Sequence, residues 1–350
     1  MTVSAQAEEP AKAEKSKAAK PRAPKPAADL EHEKRLFEAG ARAVAGIDEV
    51  GRGSMAGPVS VGVAILSPDA TLEVGGLIDS KALSPARRES MVPEIRRWCA
   101  VEVGHVDPQD VDALGMTLSL RLAAQRALAA LARRGYRADA ALLDGKHDWF
   151  TPPQEDLFSA LAPDPAQARY DALLTEAWEG VGEPAAMPVT MIIKGDYKCA
   201  SIAAASVVAK VERDELMVAL DGVHPGYGWA KNKGYGSAAH REAISAQGPS
   251  PMHRLSWSLP ATAEQIAAAQ RARVFGEKSP ERSGRVPLRR PEFCSEHPAM
   301  LVRYPLRDTR VARAAENDCR RKNERRRPRK LRDGRPDGAV PRVQGCHVAL

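Results

Sequence analysis

The chain has 350 residues and a formal net charge of +7, which bounds it to one or two domains. No apolar run is long enough for a signal peptide or a membrane span, so a cytoplasmic protein with no membrane partner is expected. The charge is uneven. Residues 271–350 hold 22 of the 52 Lys and Arg but only 10 of the 45 Asp and Glu, so this tail carries +12 and the remainder −5.

Residues 1–37 are rich in Ala, Lys, Pro and Glu and nearly free of large apolar side chains. Such a stretch cannot offset the entropy of ordering and reads as a disordered N-terminal tail. A folded unit is expected over 38–260, and 261–350 reads as a basic, disordered C-terminal tail. The cluster Arg325, Arg326, Arg327, Arg329, Lys330 and Arg332 would attract phosphates with little sequence preference. The five cysteines, at 99, 199, 294, 319 and 346, are odd in number and scattered, which argues against a disulfide framework.

In chain order, residues 43–48 form an apolar run ending in acid, as a buried strand would. Gly51-Arg52-Gly53 breaks it, and Gly57-Pro58 marks a second turn. Residues 59–66 are rich in β-branched side chains and predict the next strand, in a hairpin-like start to a sheet. Ser84-Pro85 has the form of an N-cap followed by proline at the first helical position, opening a helix to about Trp98. A strand is expected over 101–106 and a long amphipathic helix over 117–134. Residues 140–143 predict a strand ending in Asp144-Gly145, and 189–193 another ending in Lys194-Gly195-Asp196. Between them lies a proline-rich segment read as a surface insertion, with a short helix near 170–178. A strong helix follows over 201–220, its first turns lined by Ala203, Ala204, Ala205 and Ser206, small enough for close approach to a sheet. Weaker helices are expected over 238–246 and 262–274. Strands first and helices interleaved later predict a mixed α/β domain with a small C-terminal helical part.

Three positions share one local grammar, an apolar strand, then acid, then a glycine turn: Asp48-Glu49, Asp144-Gly145 and Gly195-Asp196. A carboxylate at a strand end is expensive to bury without a partner. Several meeting at one sheet edge are costly alone and favourable around a divalent cation. Hard oxygen donors suit Mg²⁺ or Mn²⁺, and the absence of His or Cys at ligand spacing disfavours zinc. Neighbouring residues of a regular strand point to opposite faces. Asp48 and Glu49 can therefore share one site only if the strand ends there, as the glycines after them allow, or if one acts through its backbone carbonyl. His224, His240 and His253 read as structural rather than catalytic.

Residues 45–59, Ala-Gly-Ile-Asp-Glu-Val-Gly-Arg-Gly-Ser-Met-Ala-Gly-Pro-Val, resemble the opening motif of the ribonuclease HII family. Asp79-Ser80-Lys81, Asp144-Gly145, Lys194-Gly195-Asp196, the 201–206 segment, Arg213-Asp214, Tyr227-Gly228-Trp229, Lys233-Gly234-Tyr235-Gly236 and His253-Arg254 follow in the family order. The resemblance spans about 44–260. It implies an RNase H-like fold, a mixed central β-sheet flanked by helices. It implies endonucleolytic hydrolysis of the RNA strand of RNA/DNA hybrids, and nicking 5′ to single ribonucleotides embedded in duplex DNA. Two metal ions, Mn²⁺ or Mg²⁺, would assist, leaving 3′-hydroxyl and 5′-phosphate ends. Asp48, Glu49, Asp144 and Asp196 would be catalytic, with Asp48, Glu49 and Asp144 binding metal. Gly51, Arg52 and Gly53 would contact the ribose 2′-hydroxyl, Tyr235 would stack on the neighbouring sugar, and Lys81 and Lys194 would contact phosphates. The partners would be the hybrid or the ribonucleotide-containing duplex, met by a monomer. Two departures stand out: Lys146 follows Asp144-Gly145 where the family often has Asn, and the proline-rich insertion is long.

Overall fold

The computed structural model describes residues 27–152 and 164–277. Its contacts divide the chain into two compact units. The first, made of residues up to 52, 59–106 and 114–212, carries the sheet.

That sheet has five strands: β1 (Val44–Val50), β2 (Val59–Leu66), β3 (Ala100–Val106), β4 (Ala140–Asp144) and β5 (Val189–Ile192), in the order β3-β2-β1-β4-β5. β1 pairs antiparallel with β2 and β2 with β3, whereas β4 runs parallel to both β1 and β5. The strand ends of β1, β4 and β5 therefore open on the same side of the sheet.

Helices α1 (Glu31–Glu38), α2 (Pro85–Trp98), α3 (Pro108–Arg133), α4 (Pro165–Trp178) and α5 (Ala200–Val223) accompany the strands. Two glycine-lined approaches fix the layers. A Cβ on Gly46 would lie 2.3 Å from the Ser201 backbone, and one on Gly62 would lie 2.4 Å from the Ala205 carbonyl. The alanines of α5 thus lie directly on β1 and β2. A Cβ on Gly104 would meet the Ala123 carbonyl of α3 at 1.9 Å. Gly104 pairs with Val61 and Gly62 with Val103, so Gly104 and Gly62 face opposite ways. α5 and α3 accordingly cover opposite faces, and the apolar side chains of β2, all buried, fill both interfaces.

Several elements differ from the sequence expectation. α1 occupies the end of the 1–37 stretch read as disordered and runs one residue past it. Its Glu33 is fully buried and accepts hydrogen bonds from Ser201 N at 2.8 Å and Ser201 Oγ at 2.6 Å, capping the first turn of α5. α3 begins at Pro108, nine residues before the expected helix, with a break at Gly115 (φ 71°, ψ 173°). The expected surface insertion is anchored where it is described. Tyr170, Leu173 and Trp178 of α4 are buried, and Trp178 Nε1 donates to Gln125 Oε1 of α3 at 3.0 Å.

The second unit comprises 53–58, 107–113 and residues from 213 on. It contains the end of α5, α6 (Trp229–Asn232), α7 (Ala238–Gln247) and α8 (Ala263–Glu277). Its core gathers Met55, Ala56, Met217, Leu220, Tyr227, Trp229 and Ile244. α8 matches the helix expected over 262–274, inside the 261–350 stretch otherwise read as tail. It is tied down by Arg273, which donates to Asp112 Oδ2 at 2.8 Å, to the Pro251 carbonyl at 2.8 Å and to the His253 carbonyl. The basic run at 325–332 and Cys294, Cys319 and Cys346 lie outside the described residues. No helix among the described residues is long and apolar enough to cross a membrane.

Candidate active site

The acidic positions singled out in the sequence meet at the open strand ends of the first unit. The parallel ladder of β1 and β4 ends at Ile47 beside Leu143, and the next step of that register sets Asp48 beside Asp144. β1 does not end at Asp48. It continues through Glu49 and Val50, paired with Val61 and Ser60 of β2. The expected early break is therefore absent, and the two acids do point to opposite faces. Asp48 shares the face of Gly46, towards α5, and receives a hydrogen bond from Ser206. Glu49 turns the other way, to Arg52 and Trp149, with Arg52 Nη1 3.2 Å from its Oε1. Both remain within electrostatic reach of Asp144, because β1 overhangs β4 at this edge and the cluster wraps around the strand end.

Asp144 is held by the Gly195 N–H, which donates to its Oδ1 at 2.7 Å. A Cβ on Gly195 would lie 2.5 Å from Ile202 Cδ1, so a larger residue would make that side chain shift. The residue before it, Lys194, has φ 57°. A lysine in the left-handed region costs about 1 kcal/mol, and that turn delivers Asp196 to the cluster.

Crowding sets the electrostatics. Burial raises the Asp48 carboxyl well above the usual carboxylate range, and Glu49, Asp144 and Asp196 add to this while Ser206 opposes it. Burial also raises Glu49, with Arg52 and Trp149 opposing and Asp144 adding. Asp196 is raised to about 7 by burial, then by Asp79 and Asp144, with Lys81 opposing. Like charges at short range resist joint ionisation, so the edge is short of positive charge.

Asp79 is the residue that sequence reasoning missed. The Asp79-Ser80-Lys81 motif was visible, but only Lys81 was given a role. Asp79 is buried, accepts from Lys81 N at 2.8 Å, and is hydrogen-bonded to both Asp196 and Tyr197. The neighbouring Ser80 Oγ lies 3.0 Å from Ser206 Oγ, the hydroxyl that serves Asp48. An aspartate two residues before a backbone N–H it can accept is a common local turn, so its sequence signature carried no hint of the cluster.

Oxygen donors of this kind match a divalent cation of the Mg²⁺ or Mn²⁺ type. Among the described residues, no three Asp, Glu, His or Cys side chains are drawn together as a closed ligand cage. The set is an open, mutually repelling array whose donor chemistry fits such an ion.

Other sequence candidates fall within one unit or the other. Gly51 has φ 80°, where glycine is needed. A Cβ on Gly53 would meet nothing within 4 Å, so packing does not demand glycine there. The side chains of Arg52, Lys81 and Lys194 reach the surface. In the second unit Tyr235 is 39% exposed, with the Arg213 guanidinium 5.6 Å from its ring centre. Arg213 is fully buried and donates to the carbonyls of Pro58, Lys233 and Ala56 and to Ser54 Oγ. It thereby joins the segment after Gly53 to the Lys233–Gly234–Tyr235 turn, where Gly234 (φ 82°) packs on the Ala56 carbonyl. Trp229, His240 and His253 are buried. Ser60, His105 and Glu212 follow the order of a nucleophile, base and acid, with Ser60 Oγ 2.6 Å from His105 Nδ1 and His105 Nε2 3.8 Å from Glu212. Ser60 has no exposed surface, so this line is a packed polar contact.

Fold and site together define an RNase H-like α/β protein with its acids gathered at the strand ends. The family model for ribonuclease HII matches residues 45–155 and 169–259. A ribonuclease HII of Streptomyces avermitilis is 40% identical over 249 residues, covering 71% of this chain and 91% of that protein. One of Cereibacter sphaeroides is 38% identical over 229 residues, covering 65% and 90%. Among solved structures, the chain is similar to the PCNA:RNase HII complex of Archaeoglobus fulgidus, at 28% identity and a TM-score of 0.42, over 62% of this chain and 95% of that one. The chain belongs to the ribonuclease HII family, and it is an endoribonuclease of the ribonuclease H type.

Proposed function

We propose that this protein cuts the RNA strand of RNA/DNA hybrids and nicks on the 5′ side of single ribonucleotides embedded in duplex DNA, leaving 3′-hydroxyl and 5′-phosphate ends. The observation that carries this reading is the crowded acid array of Asp48, Glu49, Asp144 and Asp196, in which burial and neighbouring carboxylates raise Asp48, Glu49 and Asp196. Asp48, Glu49 and Asp144 would hold Mn²⁺ or Mg²⁺, with Asp196 completing the catalytic set. A pair of such ions supplies, when bound, positive charge for the attacking and departing oxygens of phosphodiester hydrolysis.

The chain's own residues do the rest. Ser206 holds the Asp48 carboxylate from α5, and the Gly195 N–H holds that of Asp144. The Gly51-Arg52-Gly53 turn offers backbone donors and acceptors at close range to the 2′-hydroxyl, the group that marks RNA against DNA. Tyr235 offers a flat apolar face to the neighbouring sugar. Lys81 and Lys194 contact phosphates and position the strand without reading sequence. Lys194 is the better candidate of the two, because it directly precedes the Gly195-Asp196 pair at the strand end.

The test compares a duplex carrying one ribonucleotide with its all-DNA twin, in the presence of Mn²⁺ or Mg²⁺. A single nick 5′ to the ribonucleotide and an intact twin are expected. Equal cleavage of both duplexes, or undiminished cleavage by Asp48→Asn/Asp144→Asn, would overturn the reading.

A further inference from the structure

The proposed chemistry makes no use of the buried histidines of the second unit, yet their ring nitrogens have fixed roles. Ser250 N–H donates to His253 Nδ1 at 2.9 Å. That nitrogen therefore carries the lone pair, and the ring proton sits on Nε2. His253 Nε2 lies 3.1 Å from His240 Nε2, which must then accept, its one lone pair shared with Trp229 Nε1–H at 3.0 Å. The remaining proton of His240 is on Nδ1, 2.9 Å from the Tyr235 carbonyl. The line runs in one direction: Ser250 N–H to His253, His253 to His240, His240 to the Tyr235 carbonyl. It is consistent only with two neutral rings, and both rings are fully buried, so neither can touch substrate.

Tyr235 has reason to need such a hold. It is exposed, and the two residues before it, Lys233 (φ 53°) and Gly234 (φ 82°), are both in the left-handed region. A strained turn bearing an exposed ring relaxes to other arrangements unless its backbone is pinned. The pin is at the carbonyl, which accepts from His240 Nδ1 and from Ser237 N at 2.8 Å.

We propose that His240 and His253 are positioning residues for ribonucleotide recognition: a neutral imidazole pair fixes the Tyr235 carbonyl and with it the direction in which the tyrosine ring leaves the turn. This rests on the reading of Tyr235 as the sugar-stacking residue.

The experiment measures kcat and KM on a duplex with one ribonucleotide for the full-length chain. The variants are Tyr235→Ala, His240→Leu, His240→Asn and the Tyr235→Ala/His240→Leu pair. Tyr235→Ala should lower kcat/KM about tenfold, the scale of a lost stacking contact. His240→Leu should lose a similar factor, mainly in KM. His240→Asn, whose side-chain N–H can replace the ring Nδ1–H, should recover to within about threefold of wild type. The double variant should be no worse than Tyr235→Ala alone. Losses that multiply in the double variant, or an asparagine that fails to rescue, overturn the proposal. An unimpaired His240→Leu beside an impaired Tyr235→Ala overturns it while leaving the Tyr235 reading intact. An unimpaired Tyr235→Ala removes that reading and the proposal together. Imidazole ¹⁵N spectra of the wild-type protein give a check that needs no variant to fold. Protons on His240 Nδ1 and His253 Nε2 are expected, and the opposite tautomers overturn the proposal.

Discussion

The strand-end edge of the first unit and the Tyr235 region of the second handle buried polarity in opposite ways. At the edge, acids crowd acids: Asp48, Glu49 and Asp196 are all driven away from their charged forms by burial and by neighbouring carboxylates. In the Tyr235 region, Arg213 is surrounded by carbonyls, and the histidine pair is neutral with each ring nitrogen assigned. One region gathers like charges, which a cation would balance under the proposed function. In the other, the hydrogen bonds of Arg213 and of the histidine pair go into holding backbone in place. Chemistry and reading therefore place different demands on stability. A site that must bind an ion keeps unmatched charge, whereas a site that must keep one shape spends its hydrogen bonds on itself.

The largest expected effect sits at the acid edge and has two signs. Asp48→Asn should lower the cleavage rate on the order of 10³-fold or more, yet leave the metal-free protein as stable as wild type or more so, because it removes a repelled charge. Cleavage assays and thermal melting in a chelator measure both. A clearly lower melting temperature would mean that the array is not strained by its own charge. Arg213→Ala should do the reverse in the second unit. It strips the donors from four buried acceptors, at a cost of about 3 kcal/mol or more. Arg213→Lys should recover little of this, since an ammonium cannot span the same fork. Chemical denaturation measures the difference, and a loss under 1 kcal/mol would contradict a second region whose backbone is held by Arg213.

The acid edge was legible in sequence because its signal is local: an apolar run that ends in an acid with a glycine close by, three times over. The strands at 59–66 and 101–106 and the helix of small residues after 201 were legible for the same reason. Asp79 and Glu33 were not, because what makes them matter is distant in sequence. Glu33 is placed by a hydrogen bond to Ser201, 168 residues away, and its own segment has the composition of a disordered tail. The continuation of β1 through Glu49 was missed because glycine punctuation at 51 and 53 suggested an earlier end. Antiparallel pairing with β2 carries the strand two residues further than its partner β4 could. Arg273 counts with the tail's charge in sequence, and only its bonds to Asp112, Pro251 and His253 show it as an anchor.

A pH dependence sharpens the contrast at smaller scale. The folded-state value of Asp196 is about 7, against 3.8 for the free side chain. The folded protein therefore keeps a proton that the unfolded chain releases. That stabilisation is fully present below pH 3.8 and is lost as pH rises to about 7, beyond which it is constant. In the metal-free protein, Asp196→Asn should flatten stability across this window relative to wild type, as read by denaturant midpoints at successive pH values. Adding Mn²⁺ or Mg²⁺ should raise the wild-type midpoint near pH 7 and raise that of the variant less, because a cation stabilises the ionised array by mass action. A variant with the same pH profile as wild type would show Asp196 to be outside the coupled cluster.

The smallest expected effect concerns the sequence beyond both regions. Residues 278–350 hold 20 Lys and Arg against 9 Asp and Glu, whereas the body that carries the acid edge is net negative and meets a polyanionic substrate. Phosphate attraction must then come from a few local lysines or from this stretch. If the stretch contributes, cutting after Glu277 keeps Arg273 and its bond to Asp112 and removes only the surplus charge. Duplex affinity should fall about tenfold at low salt, and the slope of log affinity against log salt should become shallower. The single-turnover cleavage rate at saturating enzyme should not change, since no residue assigned to the acid edge or to Tyr235 is removed. An unchanged salt slope would leave the local lysines as the source of attraction. A slowed chemical step would mean that the stretch reaches the reacting strand, and the division between a charged edge that cuts and a neutral network that reads would need a third participant.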